Sequence, residues 1–217
     1  MFIILSIIDF IVLFFLSRLI TRALSRLIHR VTGRISLTVR IFSFVLLPGT
    51  FVHELSHYLV AHALGVRTFG FVLSPILEEG TVRLGSVSIQ KTGPFRKTLV
   101  GLAPFLIGLF LLFSLLWWVS SDTGSPVWKI LLVLYGVFQV SNTMFPSEAD
   151  ISGAPIFVIL LVGALLAGLY FFDSSRVVLD SIVLLGFFEA AVFYLTWIIV
   201  IDVTSLGIIH GFLRIRR

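Results

Sequence analysis

The stretch PGTFVHELSHYLV, residues 48–60, places a His-Glu-x-x-His sequence inside an apolar run. On a helix, His53 and His57 lie four residues apart and share a face, so both imidazoles can point at one zinc ion. Glu54 lies one position further round the helix, where a general base must be to take a proton from zinc-bound water. The stretch therefore predicts a helix that carries a catalytic zinc site.

The alternative for this pair is two structural histidines packed in a polar seam between helices. The apolar setting counts against it, because two histidines and a glutamate in hydrocarbon are costly unless they are paired or bound to a metal. A chance match to the motif in a chain of this size has a probability of about one percent or less. The metal site is the favoured interpretation.

Composition indicates an integral membrane protein. Of the 217 residues, 58% are hydrophobic and only 12% are charged, whereas about a quarter of a soluble domain is charged. The net charge of +5 comes from arginines that flank apolar runs, which favours lipid head groups as contacts over nucleic acid. Because the chain has no cysteine, any zinc must be held by nitrogen and oxygen.

Six apolar runs predict the membrane topology. We expect an all-α membrane protein of about six transmembrane helices, with a small β-hairpin between the second and third spans, in a prokaryotic plasma membrane. The chain, 1–217, is predicted to form one domain, since no repeat or linker divides it. Its parts are a first span with a basic helix (1–40), a zinc-site core (41–153), and two last spans with a basic tail (154–217). The predicted spans are 2–17, 41–64, 98–121, 127–145, 151–172 and 177–201.

The first span is followed by Arg18, Arg22, Arg26 and Arg30, which are four residues apart and share one helix face. Apolar residues between them predict an amphipathic helix at the membrane interface, with the arginines reaching lipid phosphates. The alternative is that this basic face binds substrate. Gly33 is expected to end the helix.

The second span and the segment after it carry two further expectations. Pro48-Gly49 should kink or open the span just before the motif, which would let water reach a buried site. Segments 68–74 and 81–90 are rich in β-branched and aromatic residues, which predicts a hairpin, with a bulge at Gly85-Ser86 where the apolar parity switches. The hairpin is either an ordinary surface element or an edge that pairs with an extended substrate.

A catalytic zinc needs a third protein ligand. The sequence favours Asp150 and Glu148, because both follow a polar break at the end of a span. Such a break exposes backbone, and exposed backbone at membrane depth is tolerated only where it lines a cavity. The other acidic candidates on the later spans are more typical of interhelical partners. The remaining candidates are Asp9, His62, Asp180, Glu189, Asp202 and His210.

The His-Glu-x-x-His motif, the β-rich segment after it and a later Asn142…Pro146…Asp150 resemble the site-2 protease family of intramembrane zinc metalloproteases. The resemblance covers about 41–153. It implies Asp150 as the third zinc ligand and Glu54 as the base. It also implies Asn142 as a residue that binds the substrate strand or the developing oxyanion.

The chain departs from the family pattern in three places. The usual Leu-Asp-Gly is Ala149-Asp150-Ile151, the Gly-Pro-x-x-Asn signature lacks its asparagine after Pro104, and there is no PDZ-like insert. This chain is most similar to divergent members of the family that have Pro-Gly-Thr before the motif and Pro-Ser-x-x-Asp at the third ligand. The departures concern substrate handling rather than the zinc site.

The resemblance implies a zinc-dependent endopeptidase that hydrolyses a peptide bond of a transmembrane or membrane-associated protein segment. One alternative is a non-proteolytic zinc-binding membrane protein on the same fold, such as a chaperone or regulator. Another is a transporter with a proton relay through Glu54, Asp150, Glu189 and Asp202, which the absence of an internal repeat disfavours.

Membrane orientation depends on two basic clusters. Alternation of spans would place the Arg18–Arg40 segment on one side, and the hairpin with the basic C-terminal tail on the other. The numbers of Lys and Arg on the two sides are similar and decide little. The family resemblance, with its active site near the cytoplasmic face, favours a cytoplasmic hairpin and tail.

Overall fold

The computed structural model describes residues 2–78, 81–121, 124–147, 150 and 177–215, with side chains described over 5–75, 84–121, 124–147, 150 and 189–214. Helices dominate, and four short strands lie between the third and fourth helices. The helices are α1 Phe2–Thr32, α2 Ile35–Val45, α3 Leu47–Ala63, α4 Pro94–Ser120, α5 Val127–Thr143 and α6 Val177–Ile215. The strands are β1 Thr68–Val72, β2 Ile76–Glu78, β3 Thr81–Arg83 and β4 Ser86–Ile89.

The expected helical architecture with a small β insert is confirmed. Two described helices are long and apolar enough to cross a membrane, Pro94–Ser120 and the Glu189–Arg214 part of α6, and the bent pair α2–α3 makes a third if it is one span. Helix α5 is apolar but shorter. The predicted fifth span, 151–172, lies outside the described residues, and the number of six spans stays a prediction.

The last predicted span, 177–201, is part of a longer helix. Helix α6 continues to Ile215 for a total of 39 residues, so His210 and Arg214 lie on it rather than in a tail. A shared apolar core joins four helices, with Leu13 from α1, Leu112 from α4, Val137 from α5 and Leu195 from α6, each fully buried. Helix α3 packs against α4 and α5.

The predicted kink before the motif is confirmed. Helices α2 and α3 meet at an angle of 69° around Leu46, two residues before Pro48. Proline lacks an N–H and has a fixed φ, so it fits the first turn of a new helix better than the interior of a continuing one. Gln139 of α5 bridges the break, since its Nε2 donates to the Val45 carbonyl at 2.8 Å and its Oε1 accepts from Gly49 N at 3.2 Å.

The apolar first run and the basic segment form one continuous helix, α1. Gly33 ends it with φ of +64°, as expected, because glycine adopts this left-handed conformation without steric cost. The side chain of Arg30 donates to the Leu213 carbonyl of α6 at 2.5 Å. The ends of α1 and α6 therefore lie side by side, so Arg30 is near the end of α6 that carries Arg214, whereas alternation of six spans would place them on opposite sides.

The hairpin is built in two parts. Strand β1 pairs with β4 and β2 pairs with β3, both antiparallel. The register shift lies between Phe69 and Phe71, around Gly70 with φ of +86°, rather than at the predicted Gly85-Ser86. The parity switch in the sequence has another cause, since β3 ends at Arg83 and a separate strand begins at Ser86.

Gln139→Leu is expected to lower the free energy of unfolding by about 2 kcal/mol, because two backbone groups at the break, one buried and one partly buried, lose their partner. Gln139 is 2% exposed, so water cannot replace the amide. Denaturant-induced unfolding in mixed micelles measures the change. The matched variant Gln90→Leu alters an exposed side chain and should unfold as the wild type does. Equal midpoints for both variants would contradict the bridging role of Gln139.

Candidate metal centre

Three side chains from two parts of the chain meet in one cluster. His53 and His57 lie on α3, and Asp150 follows the end of α5. One ligand atom from each lies within 4.8 Å of the other two. Among the described residues, this is the group of His, Asp and Glu side chains that could hold a metal ion.

The spacing of the ligand atoms fits a tetrahedral zinc site. The two Nε2 atoms are 3.2 Å apart, His57 Nε2 is 3.3 Å from Asp150 Oδ1, and His53 Nε2 is 3.8 Å from Asp150 Oδ2. Zinc bonds of about 2.0–2.1 Å at tetrahedral angles place neighbouring ligand atoms about 3.3 Å apart. The two separations measured at His57 Nε2 match that value. The His53 contact is 3.8 Å long and is made to the other carboxylate oxygen, so binding a metal through one oxygen requires the Asp150 side chain to move.

The far nitrogen of each imidazole is held by a backbone carbonyl. His53 Nδ1 donates to the Thr143 carbonyl at 2.6 Å, and His57 Nδ1 donates to the Val100 carbonyl at 2.7 Å. A carbonyl oxygen can only accept, so each Nδ1 carries a proton, and in the neutral form of each ring the lone pair is on Nε2. Both lone pairs point into the cluster, as in zinc sites whose histidines are oriented by such contacts.

Asp150 is oriented by Ser147. Asp150 Oδ2 accepts from the backbone N of Ser147 at 2.7 Å and from its Oγ at 2.6 Å, and Asp150 N lies 3.4 Å from the same Oγ. These reciprocal contacts are the pattern of a capping box. Burial raises the pKa of the Asp150 carboxyl, but the adjacent His53 and His57 side chains, together with Ser147, outweigh it and hold the pKa below its ordinary range. The carboxylate is therefore in the ionised form that binds a metal.

Glu54 lies beside the cluster on the wall of the same cavity. The cavity has a volume of about 1300 Å³, and its lining includes all three ligands, Glu54 and strand β4. The Glu54 side chain is 6% exposed. Gly85 covers it so closely that a Cβ there would be 2.8 Å from Glu54 Cγ. The turn between β3 and β4 thus limits the space in which the carboxylate moves.

Asn142 lines the cavity, but its amide nitrogen is engaged on the other side. Nδ2 donates to the Phe138 carbonyl at 2.8 Å and to Asp202 Oδ1 at 3.2 Å. Asp202, fully buried on α6, also accepts from Ser141 Oγ at 3.0 Å. Asp202 is therefore an interhelical partner, as predicted. The predicted role of Asn142 in binding the substrate strand or the oxyanion stays a prediction.

The other ligand candidates lie apart from the cluster or outside the described side chains. His62 is exposed and stacks on Tyr58, and His210 is exposed with its Nδ1 hydrogen-bonded to the Leu206 carbonyl. Glu189 is exposed on α6. The side chains of Glu148 and Asp180 fall outside the described residues, and Asp9 is not part of the cluster.

Two residues near the site were missed in the sequence. A Cβ built on Gly101 of α4 would overlap the backbone carbonyl oxygen of Asp150, so only glycine lets the third ligand approach this helix. Thr50 lies one turn before His53 on the same face of α3, and its buried Oγ1 has no hydrogen-bond partner among the described residues. The spacing of Thr50, three residues before His53, was the available signal.

Comparisons of the chain with protein-family models, curated proteins and solved structures find no match. The metal centre and its cavity therefore carry the functional argument.

The purified protein is expected to hold about one zinc per chain, and His57→Ala and Asp150→Ala should each lose most of it, because two ligands do not complete a site. Elemental analysis after dialysis against zinc-free buffer measures the content. Glu189→Ala removes an exposed carboxylate outside the cluster and should keep the full amount. Full zinc in Asp150→Ala would assign the third ligand elsewhere.

Gly101→Ala should weaken zinc binding about 10–100-fold, as loss of a contact that orients a ligand does, because the new Cβ displaces Asp150. The matched variant Gly93→Ala adds a Cβ with no atom within 4 Å and should bind zinc normally. Competition with a chromogenic chelator gives both affinities. Equal affinities would show that Gly101 does not set the position of Asp150.

Proposed function

We propose that this protein is a zinc-dependent intramembrane endopeptidase that cleaves a membrane-embedded or membrane-associated protein segment. The observation that carries the proposal is the cluster of His53, His57 and Asp150 in one cavity with the Glu54 carboxylate. Three ligands and an adjacent carboxylate are the parts that metal-assisted hydrolysis needs. The resemblance of the sequence to site-2 proteases agrees with this assignment.

His53, His57 and Asp150 would hold the zinc ion, with both histidines oriented by backbone carbonyls. Bound there, zinc would supply the Lewis acidity that lowers the pKa of water and polarises a peptide carbonyl. Glu54 would accept the proton of the attacking water and return it to the leaving amine. Gly85 would keep that carboxylate beside the reacting atoms by limiting its movement.

Strand β4 is the proposed docking edge for the substrate backbone. It lines the cavity and, among the described strands, pairs only with β1. A protease binds its peptide in an extended form, and an added strand satisfies the backbone groups of that form. This favours the edge interpretation of the hairpin over that of an ordinary surface element.

The proposed setting is a multi-pass protein in a prokaryotic plasma membrane. Two to three apolar helices of spanning length support membrane insertion. The contact between Arg30 of α1 and Leu213 of α6 brings Arg30 and the end of α6 that carries Arg214 to one end of the molecule. Basic residues collect on the cytoplasmic side, so this end would be cytoplasmic.

A non-proteolytic zinc protein, such as a membrane chaperone or regulator, is the second candidate. The buried interaction of Asn142 with Asp202 favours it, because the amide nitrogen is already engaged and is not aimed at a substrate oxyanion. Such a protein would bind zinc and membrane segments without turnover. The two candidates differ in what Glu54 does.

Glu54→Gln is expected to keep zinc but to slow cleavage about a hundredfold or more, since the amide cannot accept the proton. Cleavage of a membrane-segment substrate in proteoliposomes gives the rate, and elemental analysis gives the zinc content. Glu189→Gln is the matched control and should cleave normally. Zinc-loaded wild type that cleaves no substrate would favour the chaperone or regulator.

A further inference from the structure

One wall of the cavity is strongly cationic. Arg18, Arg22 and Arg26 of α1 line the same cavity as the metal centre, and we refer to these three residues as the arginine face. Lys97, in the first turns of α4, lines it as well. Of the lining residues that the structure describes, the carboxylates are those of Glu54 and Asp150, both at the metal centre.

The packing of α1 directs the arginine face toward the cavity. Its apolar side is buried, with Ile20 and Ala23 fully inaccessible and packed in one cluster with Ile209 of α6. Ser17 Oγ donates to the Asn142 carbonyl at 3.3 Å, which holds α1 against the end of α5 beside the metal centre. A helix anchored on one side presents the other side to the open space.

The guanidinium charges of the arginine face are available to a ligand. Arg18 lies over the ring of Phe14 at 5.2 Å, and Arg26 Nε donates to the Arg22 carbonyl at 3.3 Å. Neither contact neutralises a charge, and all three side chains are exposed. The face therefore retains most of its hydrogen-bond donors, which match carboxylate oxygens in geometry and charge.

The spacing of the arginine face suits an extended acidic peptide. Residues four apart on a helix are separated by about 6 Å along its axis. Alternate residues of a strand, which point to the same side, are separated by about 6.7 Å. Carboxylates at every second position of an extended chain could therefore meet successive arginines.

We propose that the arginine face and Lys97 form a subsite for an acidic segment next to the cleaved bond, so that the protease selects substrates with alternating Asp or Glu in that segment. This subsite rests on the proposed proteolytic function. Lipid phosphates are the other ligands that arginines attract near a membrane. The peptide is favoured, because the face shares its cavity with the metal centre and strand β4, where a substrate segment must lie.

The test compares two extended peptides that differ only in alternating Glu or Gln. Each is joined to the same membrane segment, labelled with a fluorophore, and titrated with zinc-loaded protein in zwitterionic lipid nanodiscs. The test variant is Arg22→Gln/Arg26→Gln, which leaves the Arg18–Phe14 contact intact. The matched control is Arg40→Gln/Arg96→Gln, which removes two exposed arginines outside this cavity.

We expect the wild type and the control to bind the Glu peptide about tenfold more tightly than the Gln peptide, which is the preference that two exposed ion pairs would give. The test variant should lose that preference. Added salt should reduce the preference, because exposed charges are screened. Equal binding of the two peptides by the wild type would overturn the proposal. So would loss of the preference in the control as well as in the test variant.

Two further measurements separate the subsite from the proteolytic function and from lipid binding. If the peptides are not cleaved but the preference for the Glu peptide depends on the arginine face, the subsite stands and the protease assignment fails. If both peptides are cleaved at equal rates by all variants, the subsite fails and the protease stands. If the wild type retains anionic lipid, the test variant loses it and neither prefers one peptide, the arginine face binds lipid and the proposal is overturned.

Discussion

The structure depends on two hydrogen bonds that cross between helices. The carbonyl of Thr143 on α5 holds His53, and the carbonyl of Val100 on α4 holds His57. These contacts orient both imidazoles and also fix α3 between its two neighbours. Each carbonyl lacks a donor from its own helix, because Thr143 ends α5 and the residue four positions after Val100 is Pro104, which has no N–H. The imidazoles supply those donors, so each contact satisfies two groups at once. The geometry of the candidate metal ligands and the helix packing therefore constrain each other.

Around these contacts, backbone segments approach each other closely at glycine residues. Helix α3 meets α5 at Gly49, and α4 meets the third ligand at Gly101, positions where a Cβ would collide with backbone atoms. The bend of 69° at Leu46 sets α2 at an angle to α3, and residues of both helices line the cavity between α1 and the metal centre. The cavity thus follows from a broken helix and from small residues, while the apolar sides of α1 and α6 remain packed together.

Much of the site could be read from the sequence, because local spacing determines it. A spacing of four positions puts both histidines on one helix face, and Pro48, the second residue of α3, marked the break. The position of Asp150 was harder to predict, because its approach to the histidines depends on how the end of α5 packs against α4. Ser147, three residues earlier, holds it in place. The register of the hairpin was misjudged, because a break between two short strands produces the same parity change as a bulge.

By itself, the sequence determined the helical and strongly apolar character, the break before the motif, the end of α1 at Gly33 and the histidine pair, all of which follow from composition and short-range periodicity. Only the tertiary structure decided which carboxylate joins the histidines, that Asn142 faces Asp202, and that the arginines of α1 line the cavity of the metal centre. These depend on contacts between residues far apart in the chain, such as Ser17 with Asn142 and Arg30 with Leu213. Local spacing cannot encode such contacts, because they arise from the packing of whole helices.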